Sequence, residues 1–263
     1  MKKIIVFILF AFIYFTSCGN TSNNDNKEQE SPETNIPNNN DSNEKETITV
    51  GGYVYDYPFL YHLPNGDIGG FDYDMLNEIA RISDLKLEFI QKDFIDLIPG
   101  LLDKQVDIIS AGISITEERK KLFNFSKKYY SSGQTLMVNK DNTDIKTIED
   151  LKGKNIGVIS GTISDDLVSA IEGVNVVGFD STGSVLLSLK VEKIDGAVLD
   201  ESTIINYLKL DDTLKSIPGV TFPKTDYGYG IRKEDTELLE KINYGLDVVM
   251  TNGFYDQLIK KYF

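Results

Sequence analysis

Cysteine is almost missing from this chain of 263 residues, in which Cys18 is the only one. No internal disulfide can form, and no second cysteine is available as a nucleophile or metal ligand. Histidine is as scarce. His62, in the loop "YHLPNGD", stands alone. No His/Asp/Glu spacing describes a metal site, and a loop histidine is ordinarily just solvated, so neither a cofactor nor a catalytic residue is expected. Long apolar runs are lacking too. The run Ile4 to Phe15 has 12 residues, short of the ~20 that a membrane-spanning helix needs. Positive charge is in deficit: 27 Lys and Arg face 41 Asp and Glu, a formal net charge of −14. From Thr47 onward the count is 23 against 34, still −11. Nucleic acid needs basic patches, so the balance excludes it as a partner.

What is present at the N-terminus reads as an address. Lys2 and Lys3 precede the short apolar core, and small residues follow it. That is the pattern of a secretory signal peptide, residues 1–17. Thr16-Ser17-Cys18-Gly19 resembles the lipobox of bacterial lipoproteins, with Phe15 where an aliphatic residue is usual. The resemblance implies lipidation of Cys18 and an anchor at the cell membrane, facing the periplasm or the cell surface; otherwise Cys18 is a free thiol. Gly19 to Glu46 is rich in Asn, Ser, Glu, Asp and Pro. Such a stretch cannot offset its ordering entropy by burial. Residues 18–46 are expected to be an anchor and disordered linker, a leash of roughly 30 Å.

From Thr47 the chain alternates strand-like and helix-like pieces. "TITVGG" (47–52), "LKLEFI" (85–90) and "VDIIS" (106–110) read as strands. Between them, "FDYDMLNEIARIS" (71–83) has helical apolar spacing, and "FIDLIPGLL" (94–102) is a short helix that Asp93 could cap. "GQTLMV" (133–138), "NIGVIS" (155–160), "VNVVGFD" (174–180) and "DGAVLD" (195–200) continue as strands, with helices at 147–153, 164–171 and 184–192. A strand-like 227–233, a long helix 236–252 stopped by Gly253, and a last helix 254–261 close the pattern. Alternation of this kind predicts an α/β architecture with mainly parallel sheets, and the length suggests two compact units. "LLDKQVDIISAG" (101–112) and "SLKVEKIDGAVLD" (188–200) share a form: a helix end, a Lys-containing turn, then Val106-Asp107 or Ile194-Asp195 entering a strand. Aligning those pairs places Gly112 opposite Asp200.

In open α/β sheets ligands sit beyond the carboxyl ends of strands. The first of these ends offers "SAGISITEER", with Gly112, Ser114 and, one turn into a helix, Arg119. The second offers Asp200. An arginine fork matches a carboxylate bidentately, and unpaired N–H groups at a helix start favour an anion. If the two ends face each other, a zwitterion fits between them. Alternatively, Arg119 only pairs with a nearby acid on a solvated helix.

"PNGDIGGFDYDMLNEIA", "LIPGLLDKQVDIISAGISITEERKKLFNFSKKYYSSG", "IEDLKGKNIGVISGTISDD", "KIDGAVLD" and "YGYGIRKEDTELLEKINYGLDVVMTNGFYDQLIKKYF" together resemble, in order and over about 48–263, the family 3 extracellular solute-binding proteins, the amino-acid receptors of ABC importers. The resemblance implies a two-lobed periplasmic-binding-protein-like fold of type II with two hinge crossovers. Lobe 1 would comprise 47–130 plus 226–263, and lobe 2 would comprise 131–225. It implies one L-amino acid clamped between the lobes and delivered to permease subunits by a monomer. Arg119 would hold the α-carboxylate with the Gly112 backbone, Ser114 and Thr162. Asp200 would hold the α-ammonium, and Phe94 would wall the side chain. The loop "GGYVYDYPF" departs from the family pattern and admits two registers. Without a gap, Tyr53 takes the family's acidic position and Asp56 its stacking aromatic position, and Asp56 could pair with a cationic side chain. With a one-residue gap, Tyr57 stacks, Asp56 turns outward, and a polar neutral ligand is expected. Ile159 and Leu199 are apolar where some relatives carry polar groups. The rival readings are an amino-acid sensor and a dehydratase-like enzyme on the same fold.

Overall fold

The computed structural model describes residues 45–263. The expected signal peptide, Cys18 and the expected linker up to residue 44 lie outside the described residues. Among those described, no helix is long and apolar enough to cross a membrane.

The chain runs β1 (Thr47–Gly52), β2 (Tyr55–Asp56), β3 (Leu60–His62), β4 (Ile68–Gly69), α1 (Phe71–Ile82), β5 (Lys86–Gln91), α2 (Phe94–Leu102), β6 (Ile108–Ser110), α3 (Glu117–Leu122) and β7 (Asn124–Phe125). After β8 (Tyr130–Ser132) come β9 (Gln134–Asn139), a 3-10 turn at Ile148–Leu151, β10 (Asn155–Ile159), α4 (Ile163–Ser169), β11 (Asn175–Phe179), α5 (Thr182–Lys190), β12 (Gly196–Asp200), α6 (Glu201–Leu208) and β13 (Leu214–Thr221). It then returns through β14 (Thr225–Tyr227) to β15 (Gly230–Ile231), α7 (Thr236–Thr251) and α8 (Phe254–Tyr262).

These strands build two five-stranded sheets, ordered β5-β1-β6-β15-β7 and β11-β10-β12-β9-β13. Each is parallel at its heart: β1 pairs with β5 and β6, and β10 with β11 and β12. Each finishes with antiparallel strands. The fold is α/β and two-lobed. Between the lobes, β8 and β14 pair with each other, Tyr130 opposite Tyr227 and Ser132 opposite Thr225, and Tyr227 also bridges to Ser114.

The apolar spacing of α1 explains the first core. Phe71, Met75, Leu76 and Ile79 are fully buried against Leu238, Ile242, Leu246 and Val249 of α7 and Leu258 of α8. Each such side chain contributes about 1.5–3 kcal/mol of burial. A second apolar cluster runs from Phe94, Leu97 and Ile109 in one lobe to Ile159, Leu199 and Ile204 in the other, and so lies under the cleft.

The repeated form seen in the sequence is a repeated piece of structure. Asp107 and Asp195, 88 positions apart, make the same bonds: the Asp107 carboxylate accepts from Thr49 N–H (2.9 Å) and that of Asp195 from Asn155 N–H (2.7 Å). Their own N–H groups donate back to Thr49 and Asn155, both at 2.8 Å. Three residues earlier, Lys104 (φ 60) and Glu192 (φ 57) both take the left-handed conformation that turns the chain from helix into strand. α2 and α5 themselves begin 88 positions apart, at Phe94 and Thr182. Asp93 precedes α2 as expected, but its side chain makes no capping bond.

At the start of α1 the free N–H groups of Phe71 and Asp72 donate to the carbonyls of Pro58 and Phe59, both at 2.9 Å. Helix starts leave such donors unpaired, and here they pin the 53–59 segment. Gly70, at φ 131, permits this approach, since a Cβ there would sit 2.2 Å from the Phe59 oxygen.

Candidate ligand-binding site

One cavity between the lobes is lined by all eight residues singled out above: Tyr53, Asp56, Phe94, Gly112, Ser114, Arg119, Thr162 and Asp200. Ile159 and Leu199 also line it.

Arg119 reaches the cavity because α3 is short and capped. The Thr116 hydroxyl accepts from the Arg119 N–H at 3.2 Å. Lys120 takes Glu117 as its ion-pair partner at 2.8 Å. Arg119 turns the other way, is 7% exposed, and pairs with no carboxylate among the described residues. Its guanidinium donates to the carbonyl of Ser114 (3.0 Å) and, across the cleft, to that of Gly161 (3.1 Å). It lies 5.7 Å from the centroid of the Phe94 ring. Burial lowers its pKa, with Asp166 opposing. A buried cation held only by neutral carbonyls is costly unless an anion meets it. This arrangement suits an anionic group of a ligand and not a solvated helix face.

Beside it, Gly112 corrects one expectation. Its N–H is not bare but donates to Asp72 Oδ2 at 3.2 Å. What its backbone leaves for a ligand is the carbonyl, which would serve an ammonium better than a carboxylate. Ser114 Oγ is 2.9 Å from Thr225 Oγ1 at the start of β14. Thr162 precedes α4, and its hydroxyl donates to the Ile159 carbonyl at 2.7 Å.

Asp200 ends β12 and also caps α6. Its Oδ1 accepts from Ser202 N–H (2.8 Å), Ser202 Oγ (2.6 Å), Thr203 N–H (3.3 Å) and Ser132 Oγ (3.0 Å). Its Oδ2 accepts from the Tyr227 hydroxyl. Burial raises its pKa, against the pull of these donors.

The first loop turns Asp56 inward and Tyr57 away from the cavity. Asp56 sits on β2, paired with Leu60, and faces the cavity. Tyr57 packs edge-on against Tyr61 with ring centroids 4.8 Å apart and lines a separate groove. Asp56 Oδ1 accepts from Thr203 Oγ1 at 2.7 Å. Burial holds its pKa well above the carboxylate range, the nearby Asp200 adds to this, and the Thr203 bond opposes it. Tyr53 packs edge-on against Phe94 with centroids 5.9 Å apart. Its hydroxyl, beside Thr182, is buried without a hydrogen-bond partner among the described residues. Phe94 and Thr182 occupy the same place in the two halves of the repeat.

Gln134, Ser164, Thr182, Thr203 and Tyr227 also line the cavity, and the sequence does not single them out as site residues. Gln134 opens β9 and lies opposite Asp200 in the ladder. Asp72 was also missed. Fully buried, it accepts from Ser110 Oγ (3.2 Å) and Tyr129 OH (3.0 Å) besides Gly112. Burial pushes its pKa up to about 7. His62 stays apart on the surface, its ring nitrogens near Gly66 O and Gln91 Oε1. No cluster of metal-ligating side chains occurs among the described residues.

The model of the bacterial extracellular solute-binding proteins, family 3, matches residues 48–263. The chain belongs to that family. This solute-binding protein is 32% identical, over all of its length and 99% of the relative's, to the probable histidine-binding protein of Campylobacter jejuni. A crystal structure of a mutant ArgBP from T. maritima superposes with a TM-score of 0.79 at 41% identity, covering 82% of this chain and 94% of that one. An ancestral arginine-binding protein bound to arginine does so with a TM-score of 0.79 at 38% identity, covering 83% and 99%. The family and these relatives are named for binding, not for catalysis.

Proposed function

We propose that this solute-binding protein clamps a single cationic L-amino acid between its lobes and hands it to the permease of an ABC importer. The observation that carries this reading is Asp56 turned into the cavity. Arg119 contributes one positive charge, and Asp56 and Asp200 contribute two carboxylates. A cationic amino acid brings the complement: one carboxylate for Arg119, an α-ammonium for Asp200 and the Gly112 carbonyl, and a side-chain cation for Asp56. A neutral amino acid would leave Asp56 in its neutral form with its second oxygen lacking a partner, which is costly. The relatives named for histidine and arginine point to the same ligand class.

The lobe boundaries belong to this reading. The segments 47–130 with 226–263 form one jaw and 131–225 the other, turning on the β8–β14 ladder. Lipidation of Cys18 would hold the receptor at the membrane, and a Cys18→Ser protein is expected to leave the membrane fraction.

The test is a thermal-shift screen of all amino acids, followed by Asp56→Asn. A ligand at 100 times its Kd adds about 2.7 kcal/mol to stability, so the ranking is legible. L-Arginine, L-lysine and L-histidine are expected to lead, and Asp56→Asn to remove that lead. A neutral amino acid on top, unaffected by Asp56→Asn, would overturn the proposal. Recovery of the ligand unchanged after incubation is expected, and conversion would favour an enzyme.

A further inference from the structure

We propose that Thr203 determines specificity by tying recognition of the ligand's side-chain charge to closure of the lobes. This rests on the reading of Asp56 as the partner of a cationic side chain. Thr203 is the third residue of α6, is 1% exposed and lines the cavity. Its backbone N–H donates to Asp200 Oδ1 at 3.3 Å, and its hydroxyl donates across the cleft to Asp56 Oδ1 at 2.7 Å. One residue of the second lobe therefore holds both carboxylates, one from each jaw. Asp56 has no other protein donor among the described residues, so this bond sets the rotation of its carboxylate. With Oδ1 on Thr203, Oδ2 is left toward Gly112, 3.6 Å from where a Cβ on that glycine would lie.

The coupling follows from the charge of Asp56. Burial and the neighbouring Asp200 both favour its neutral form. A ligand cation beside Oδ2 favours the ionised form. A carboxylate accepts a hydrogen bond more strongly than a neutral carboxyl group does. A cationic ligand thereby strengthens the bond from Thr203, which is a bond between the jaws. A neutral ligand does not, and the jaws separate more readily. The other direct polar contacts across the cleft described above, from Arg119 to the Gly161 carbonyl, from Tyr227 to Asp200 and between Ser114 and Thr225, involve no group that faces the charge of the ligand's side chain.

The experiment compares full-length wild type with Thr203→Val and Thr203→Ser, using L-arginine and L-glutamine as probes and measuring association and dissociation by stopped flow. Thr203→Val keeps the branched shape and loses the donor. It is expected to weaken arginine binding by about tenfold or more, chiefly through faster dissociation. The loss for glutamine is expected to be several-fold smaller, and Thr203→Ser to restore arginine binding to near wild type. In an Asp56→Asn background the effect of Thr203→Val is expected to shrink, a double-mutant cycle that holds even if one variant is less stable. Equal losses for arginine and glutamine, or no rescue by serine, would reduce Thr203 to a packing residue and overturn the proposal. A wild type that prefers arginine together with an unaffected Thr203→Val sinks the role of Thr203 alone. A wild type with no preference for cations sinks the underlying reading and the coupling with it.

Discussion

Asp56, Asp200 and Arg119 carry the chemistry of the cavity, and each is set by a different local cause. Arg119 is turned inward by a capped six-residue helix, Asp200 by its double duty as strand end and helix cap, and Asp56 by the β2–β3 pairing. Arg119→Ala is expected to cost about 2–5 kcal/mol of binding, the usual cost of truncating one partner of a buried charge pair, read by isothermal titration; normal affinity would contradict the clamp. The raised pKa of Asp56 gives a second expectation. A ligand cation pulls that pKa down, so arginine binding near neutral pH should release protons, visible as a dependence of the binding heat on the buffer's ionisation enthalpy. L-Glutamine should release fewer, and Asp56→Asn should abolish the difference. Arg119 and Asp200 were legible in the sequence because each follows its own strand. The orientation of Asp56 was not, because it depends on which residue opposes Leu60. Thr203 was not legible either, since its partner is 147 positions away.

Among the elements, the unit α2–turn–β6 and its counterpart α5–turn–β12 do most to position the site. Their aspartates clamp the parallel strands β1 and β10, and their first helical residues, Phe94 and Thr182, both line the cavity. This repetition could be read from the sequence, because Val/Ile-Asp at a strand entrance is a pattern of chemistry and not only of hydrophobicity. The sheet β2-β3-β4 could not be read, since strands of two or three residues are too short to show a period, and α6 and β13 also went unassigned. The hinge-side end of α1 supports a sharp test. Gly70 combines φ 131 with backbone packed where a Cβ would go. Gly70→Ala should destabilise by at least about 1–3 kcal/mol from backbone strain and loosen the segment carrying Asp56. Denaturant unfolding measures the first effect, and arginine affinity the second.

For the molecule as a whole, one buried acid and two half-buried ones shape its response to pH. The pKa of Asp72 is raised to about 7, and those of Asp56 and Asp200 are raised too, each chiefly by burial. A carboxyl group with a higher pKa folded than unfolded binds more protons in the folded state. Ligand-free stability therefore falls as pH rises from about 4 toward 7, by about 1.4 kcal/mol per pH unit for each proton difference. Acids with lowered values, such as Asp211 at about 2 and Asp107, contribute stability that is lost only on further acidification. The ligand-free melting temperature should be higher near pH 5.5 than at pH 8, and saturating arginine should narrow that gap. A melting temperature that rises steadily from pH 5.5 to 8 would contradict the burial of these charges.

The place of β15 has a consequence for the order in which the protein is made. This strand stands between β6 and β7 in the first sheet, although nearly the whole second lobe precedes it in the chain. As the chain emerges N-terminus first, the first sheet waits with a gap in its middle until residues 230–231 appear, with the edges of β6 and β7 unpaired, while β9 through β13 can already close the second sheet. The lobe that begins first is completed last, and a nascent chain halted before residue 230 would present a finished second lobe beside an open first one.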